Sequence, residues 1–94
     1  MGLVTTEEIT HYEIDPGAIG RLQLEDEAVP YVDLDSAPYI HSRLRAGDVE
    51  YVYQRSFPAR GHSAVLPEAV RELVGKNKRF LIAERDGRYY VYVA

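Results

Sequence analysis

The chain contains no cysteine, no tryptophan and one methionine. Without cysteine it can form neither a disulfide nor a thiolate metal centre, so neither supports the fold. No apolar run approaches the ~18 residues that a membrane-spanning helix needs. The first eight residues, Met1-Gly2-Leu3-Val4-Thr5-Thr6-Glu7-Glu8, lack both the basic region and the apolar stretch of a secretory signal. Gly2 and Thr6 fit only the permissive myristoylation pattern, and the acids after them oppose an anionic membrane. The expectation is a cytoplasmic protein without membrane contact. Bases are also missing from one half. Residues 1–42 hold nine acids and a single base, Arg21, whereas residues 43–94 hold ten bases and six acids. The net charge of −4 thus conceals a dipolar chain, −8 followed by +4. Such asymmetry points to a nucleic-acid or charged-protein partner.

At 94 residues the chain is one small domain, or a domain with an arm. A chain of this size buries little more than ~60% of its unfolded surface, so dimerisation is the natural remaining source of stability. Eight tyrosines against two phenylalanines suggest half-buried sheet faces, where a ring packs while its hydroxyl stays wet.

Ile9–Ile14 alternates as a short strand, Asp15-Pro16-Gly17 is a turn, and Leu22–Leu24 reads as the return strand. Residues 28–46, interrupted by Pro30 and Pro38, read as an irregular wrap over a core, with one or two helical turns within Ser36–Arg45. Val49–Arg55 alternates cleanly, placing Val49, Tyr51 and Tyr53 on one face, and Pro58 marks its end. A short helix is predicted at about 67–74. Pro67 suits its first position, Ala69, Val70, Leu73 and Val74 form one apolar stripe, and Gly75 is placed for a left-handed stop. Lys76, Lys78 and Arg79 follow at the negative end of its dipole. Two strands, 80–85 and 88–93, flank the hairpin turn Asp86-Gly87. The expected fold is mainly β (β-rich α+β), a small sheet or barrel with one short helix, completed by dimerisation. The expected organisation is an acidic segment at 1–46 and a basic β-α-β-β domain at 47–94.

The run Gly61-His62-Ser63-Ala64-Val65-Leu66-Pro67, then Pro67-x-x-x-Arg71-x-x-x-Gly75, a charged turn, and a hairpin closed by Asp-Gly resembles the AbrB/MazE/SpoVT-like swapped-hairpin domain. The resemblance covers residues 56–94, about two-fifths of the chain. It implies an intertwined homodimer that binds duplex DNA as a transcription regulator or antitoxin. By that resemblance Arg55, Arg60 and His62 lie on or beside the DNA-facing strand. Arg71, on the helix, completes the DNA-binding set. Arginine suits the role because it contacts phosphate and reads guanine bidentately. The acidic half, through Glu25, Asp26, Glu27, Asp33 and Asp35, would contact a basic protein partner or mask the basic face. A rival reading is a protein-interaction module that uses this acidic surface and binds no DNA. The alternative is a one-chain sheet in which residues 9–55 pair with the C-terminal hairpin, and that monomeric sheet would remove the swapped dimer altogether.

Asp33, Asp35 and His41 are too sparse for a metal-ligand pattern. His62 and Ser63 are adjacent on a strand, so they point apart and form no nucleophile–base pair. The tyrosines Tyr51, Tyr53, Tyr89, Tyr90 and Tyr92 read as packing or interface material ahead of a stacking platform. No metal, no cofactor and no catalytic activity are expected.

Overall fold

The computed structural model describes residues 11–59 and 68–94. Seven strands form one sheet: β1 (His11–Ile14), β2 (Gly20–Leu24), β3 (Glu27–Asp33), β4 (Arg43–Ala46), β5 (Val49–Pro58), β6 (Phe80–Arg85) and β7 (Arg88–Val93). A helix, α1 (Glu68–Gly75), precedes β6. The spatial order is β1-β4-β5-β7-β6-β3-β2, with β1–β4 and β3–β6 parallel and the other neighbours antiparallel. The fold is mainly β. Strands from both halves of the charge distribution pair within one chain, so the one-chain sheet is the arrangement observed.

The two edge strands are consecutive in sequence, and this dictates the curvature. Seven flat strands would set the edges ~29 Å apart, six intervals of ~4.8 Å. The six Cα steps from Ile14 to Gly20 span at most ~21 Å. The sheet must therefore curl. Residues 11–24 behave as one strand bent at a corner, pairing with β4 before the corner and with β3 after it. Asp15 makes that corner by capping a 3-10 turn, its Oδ1 accepting from the Gly17 amide at 3.1 Å. The expected β1–β2 hairpin is thus replaced by a bend, and β2 pairs with β3 instead.

Residues 28–46 are more regular than their prolines suggest. Pro30 sits inside β3, and the chain tolerates it for a specific reason. The amide of Leu34 donates to Glu84 of β6, so the amides of even-numbered β3 residues face β6. The β3–β6 ladder begins only at Tyr31, where the missing Pro30 N–H is not required. β4 occupies 43–46, and no helix forms between Ser36 and Arg45; Leu34, Ala37 and His41 of this stretch are buried. Residues 34–42 do wrap the core. Arg85 fastens the wrap by donating to the carbonyls of Ala37 (3.1 Å) and Pro38 (2.9 Å).

Each face of the sheet has its own core. On the inner face Val32, Leu44, Ala46, Tyr51, Leu81, Ala83 and Tyr92 pack beneath the wrap. On the outer face Leu24, Val29, Phe80, Ile82, Tyr89 and Val91 meet Val70, Leu73 and Val74 of α1. The helix stop differs in detail from the expected one. Asn77, at φ 57°, takes the left-handed position that Gly75 was expected to take. Its amide donates to Val74 and that of Lys78 to Leu73, a Schellman closure. The 86–87 turn forms as expected, with Asp86 at φ 57° and Gly87 at φ 80°.

Candidate nucleic-acid interface

The outer face is only partly roofed. The helix-side core covers it over β7, β6, β3, β2 and the Phe57 end of β5, and among the described residues it does not extend over β1, β4 and the first residues of β5. Register determines what is displayed there. Leu44 and Ala46 pair with Tyr51 and Val49 and point into the inner core, so Arg43 and Arg45 must point outward. They lie in two cross-strand rows, His11–Arg43–Val52 and Glu13–Arg45–Glu50.

Arg55 reaches the same face through an irregularity. The β5–β7 register runs Tyr53↔Tyr92 and then Arg55↔Val91, leaving Gln54 as an extra bulged residue. Strict alternation from Tyr53 would place Arg55 on the inner face. The bulge reverses the parity, so Arg55 and Phe57 share the outer face with Val91 and Tyr89. Phe57 then meets Tyr89 edge to face, with centroids 5.3 Å apart.

The result is an uncovered sheet surface with three arginines on two adjacent strands. The strands are ~4.8 Å apart, and Arg43 and Arg45 are ~6.6 Å apart along β4. Two glutamates temper the charge. Glu50 accepts from Arg43 at 3.4 Å, and Glu13 pairs with His11 at 3.3 Å. Arg55 is exposed, as is Val52 at 46%. The Nε of Arg45 is buried and has no hydrogen-bond partner.

Of the residues singled out by sequence, Arg55 belongs to this surface. Arg71 does not. It projects from α1 to an ion pair with Glu25 in the β2–β3 turn, at the opposite end of the sheet. Four strand intervals separate β5 from β2, ~19 Å along a flat sheet. Arg60 and His62 lie outside the described residues. Three of the five acids proposed for partner contact hold the chain to itself. Glu25 pairs with Arg71, Asp33 accepts from the Asp35 amide at 2.9 Å, and Asp35 accepts from the Asp86 amide at 2.9 Å. Asp26 is exposed in the turn and Glu27 is half-buried at the start of β3. Sequence reasoning missed Arg43 and Arg45, although Arg-Leu-Arg-Ala carries the period-two signal of a strand.

The tyrosines divide by burial. Tyr51, Tyr89 and Tyr92 are buried, while Tyr53 remains 37% exposed. Tyr92 donates to the His41 carbonyl at 2.7 Å, and His41 is stacked between Tyr12 and Tyr39. Burial, chiefly, raises the hydroxyl pKa values of Tyr31, Tyr89 and Tyr92. Tyr31 is raised further because its hydroxyl donates to Glu84 at 2.7 Å.

A cleft of about 470 Å³ lies between the wrap and the β6–β7 turn, lined by Asp35, Arg85, Asp86 and Gly87. Asp35 and Arg85 are both engaged in fastening the wrap, so the lining reads as part of the scaffold. Among the described residues no helix is long and apolar enough to cross a membrane, and no cluster of three metal-ligating side chains occurs. Comparisons with family models, with curated proteins and with solved structures returned no match.

Proposed function

We propose that this chain is a small DNA-binding regulator or antitoxin-like protein that acts as a homodimer. Its duplex-facing surface is the uncovered part of the sheet bearing Arg43, Arg45 and Arg55. The observation that carries this reading is the placement of three arginines on one part of the sheet face, Arg43 and Arg55 exposed and Arg45 half-buried. A sheet face lying against a duplex is an established mode of DNA contact, and arginine there supplies phosphate and guanine contacts. The resemblance of residues 56–94 to AbrB/MazE-type domains supports the same assignment, and Arg60 and His62 remain in the proposed set on that ground.

The Glu25–Arg71 ion pair does not mask this face, because it lies at the β2–β3 turn at the other end of the sheet. The same pair weakens the rival reading of a dedicated acidic docking surface, since Glu25, Asp33 and Asp35 are engaged within the chain. The test is fluorescence anisotropy of labelled duplex titrated with the full chain, Arg43→Ala, Arg55→Ala and the double variant. The reading requires each single substitution to weaken binding and the double to weaken it further. Retention on a basic protein, with no duplex binding, would favour the rival.

A further inference from the structure

We propose that the exposed edge of β2 is the contact between two copies of this chain, paired antiparallel about a two-fold axis at Leu22. The inference rests on the dimer proposed above and assigns its interface.

Hydrogen-bond direction carries the argument. Because the amides of even-numbered β3 residues face β6, those of Val29, Tyr31 and the other odd-numbered residues face β2. Their partners Gly20, Leu22 and Leu24 therefore close the β2–β3 ladder. Arg21 and Gln23 are left with their backbone N–H and C=O groups pointing away from the sheet. Strand order leaves β2 at the edge, without a further strand among the described residues. The edge also lacks common safeguards against pairing. Gly20–Leu24 contains no proline and no lysine, and its register with β3 runs without a bulge.

The edge is self-complementary. With Leu22 on the axis, Arg21 of one copy lies opposite Gln23 of the other, twice over, and the four outward groups on each strand are satisfied reciprocally. No like charges oppose each other directly. Arg21, the sole base of residues 1–42, instead approaches the acidic 25–27 turn of the second copy. Leu22, half-buried beside the helix-side core, meets its own counterpart at the close spacing of a non-hydrogen-bonded pair. β1, the other edge, has only four described residues and leads directly into residues outside the described set.

The test is sedimentation equilibrium of the full chain and three variants, with circular dichroism to report the fold. Arg21→Pro removes one outward N–H without touching the β2–β3 ladder, so it should give a folded monomer. Gln23→Glu loses the side-chain donor to the Glu25 carbonyl, whereas Gln23→Arg keeps N–H groups that can supply it. They differ in what they place opposite Arg21. Relative to Gln23→Arg, Gln23→Glu should dimerise more tightly by roughly 5-fold or more, since opposite and like cross-strand charges act twice. If Arg21→Pro fails to fold, this comparison decides the matter alone. A monomeric wild-type chain overturns the proposal, as does a dimer that responds to none of the substitutions. Duplex binding by a dimer that ignores the substitutions would leave the proposed function standing and remove only this interface, whereas a monomeric chain would also remove the homodimer from that function.

Discussion

Deleting Gln54 should leave the fold intact, although it removes a residue from the middle of the longest strand. Gln54 is the one residue of 53–58 without a partner on β7, and the register resumes at Arg55↔Val91. On its other side β5 is paired with β4 only through Val52, with one further bond from the Tyr53 amide to Ser42. Removing Gln54 therefore preserves every later cross-strand pair, and the cost should stay within ~1 kcal/mol, a Tm change of at most ~4–8 °C for a domain of this size. Closing the bulge after deletion of Ser56 would keep Phe57 on Tyr89 and move Arg55 to the inner face. Deleting Ser56 with the bulge kept would instead shift Phe57 opposite Tyr90 and turn it off the helix-side core. That change forfeits ~1.5–3 kcal/mol of apolar burial and ~0.5–1.5 kcal/mol from the edge-to-face packing on Tyr89. The expected cost is then ~3 kcal/mol, or a Tm lower by ~12–24 °C. Thermal unfolding of the two deletions followed by circular dichroism separates them. A Tm lowered by more than ~8 °C in the Gln54 deletion would refute the bulge assignment and with it the placement of Arg55 on the outer face.

Tyr92→Phe should destabilise by ~1–3 kcal/mol, since it leaves the His41 carbonyl without its 2.7 Å donor in a fully buried site; urea titration measures it. Stability should also fall in alkali. The folded state holds the hydroxyls of Tyr31, Tyr89 and Tyr92 neutral, with pKa values above that of an unfolded tyrosine, ~10. Their contribution is complete below that value and is lost as pH rises through the folded values, so the urea midpoint should drop above pH ~10. Tyr31→Phe should flatten that drop. Glu25→Gln should change stability by less than ~1 kcal/mol, because the Arg71 pair is solvent-exposed. Duplex affinity measured by anisotropy should stay unchanged in this variant, because Arg71 lies away from the proposed DNA-facing surface.

The local rules that sequence carries most strongly were met where few residues decide the outcome. Asp86-Gly87 formed the expected hairpin turn, α1 buried the Val70, Leu73 and Val74 stripe, and Val49 and Tyr51 shared the inner face. Long-range pairing was less legible. Leu22–Leu24 is a strand as expected, but nothing local specifies β3 rather than β1 as its neighbour. Pro30 disguised β3 because the harm done by a proline depends on which neighbour its absent N–H would face. Gln54 likewise carries no mark of a bulge, and Arg55 lies beyond it. Arg43 and Arg45 became candidates only when Leu44 and Ala46 were found packed against β5 partners on the inner face. Arg71, legible as a helical base, is held by Glu25 from 46 residues earlier, a pairing that no spacing rule anticipates.

The salt dependence of duplex binding tests the central claim most directly. Anisotropy titrations of the wild-type chain and the Arg43→Ala/Arg55→Ala variant, at several salt concentrations and against random competitor, give the slope of log K against log salt. The account predicts a steep wild-type slope that becomes shallower by ~0.9 for each phosphate the variant no longer neutralises, and in a dimer each substitution counts twice. A variant slope equal to the wild-type slope, or no duplex binding by the wild-type chain, would contradict the assignment of this sheet face to DNA.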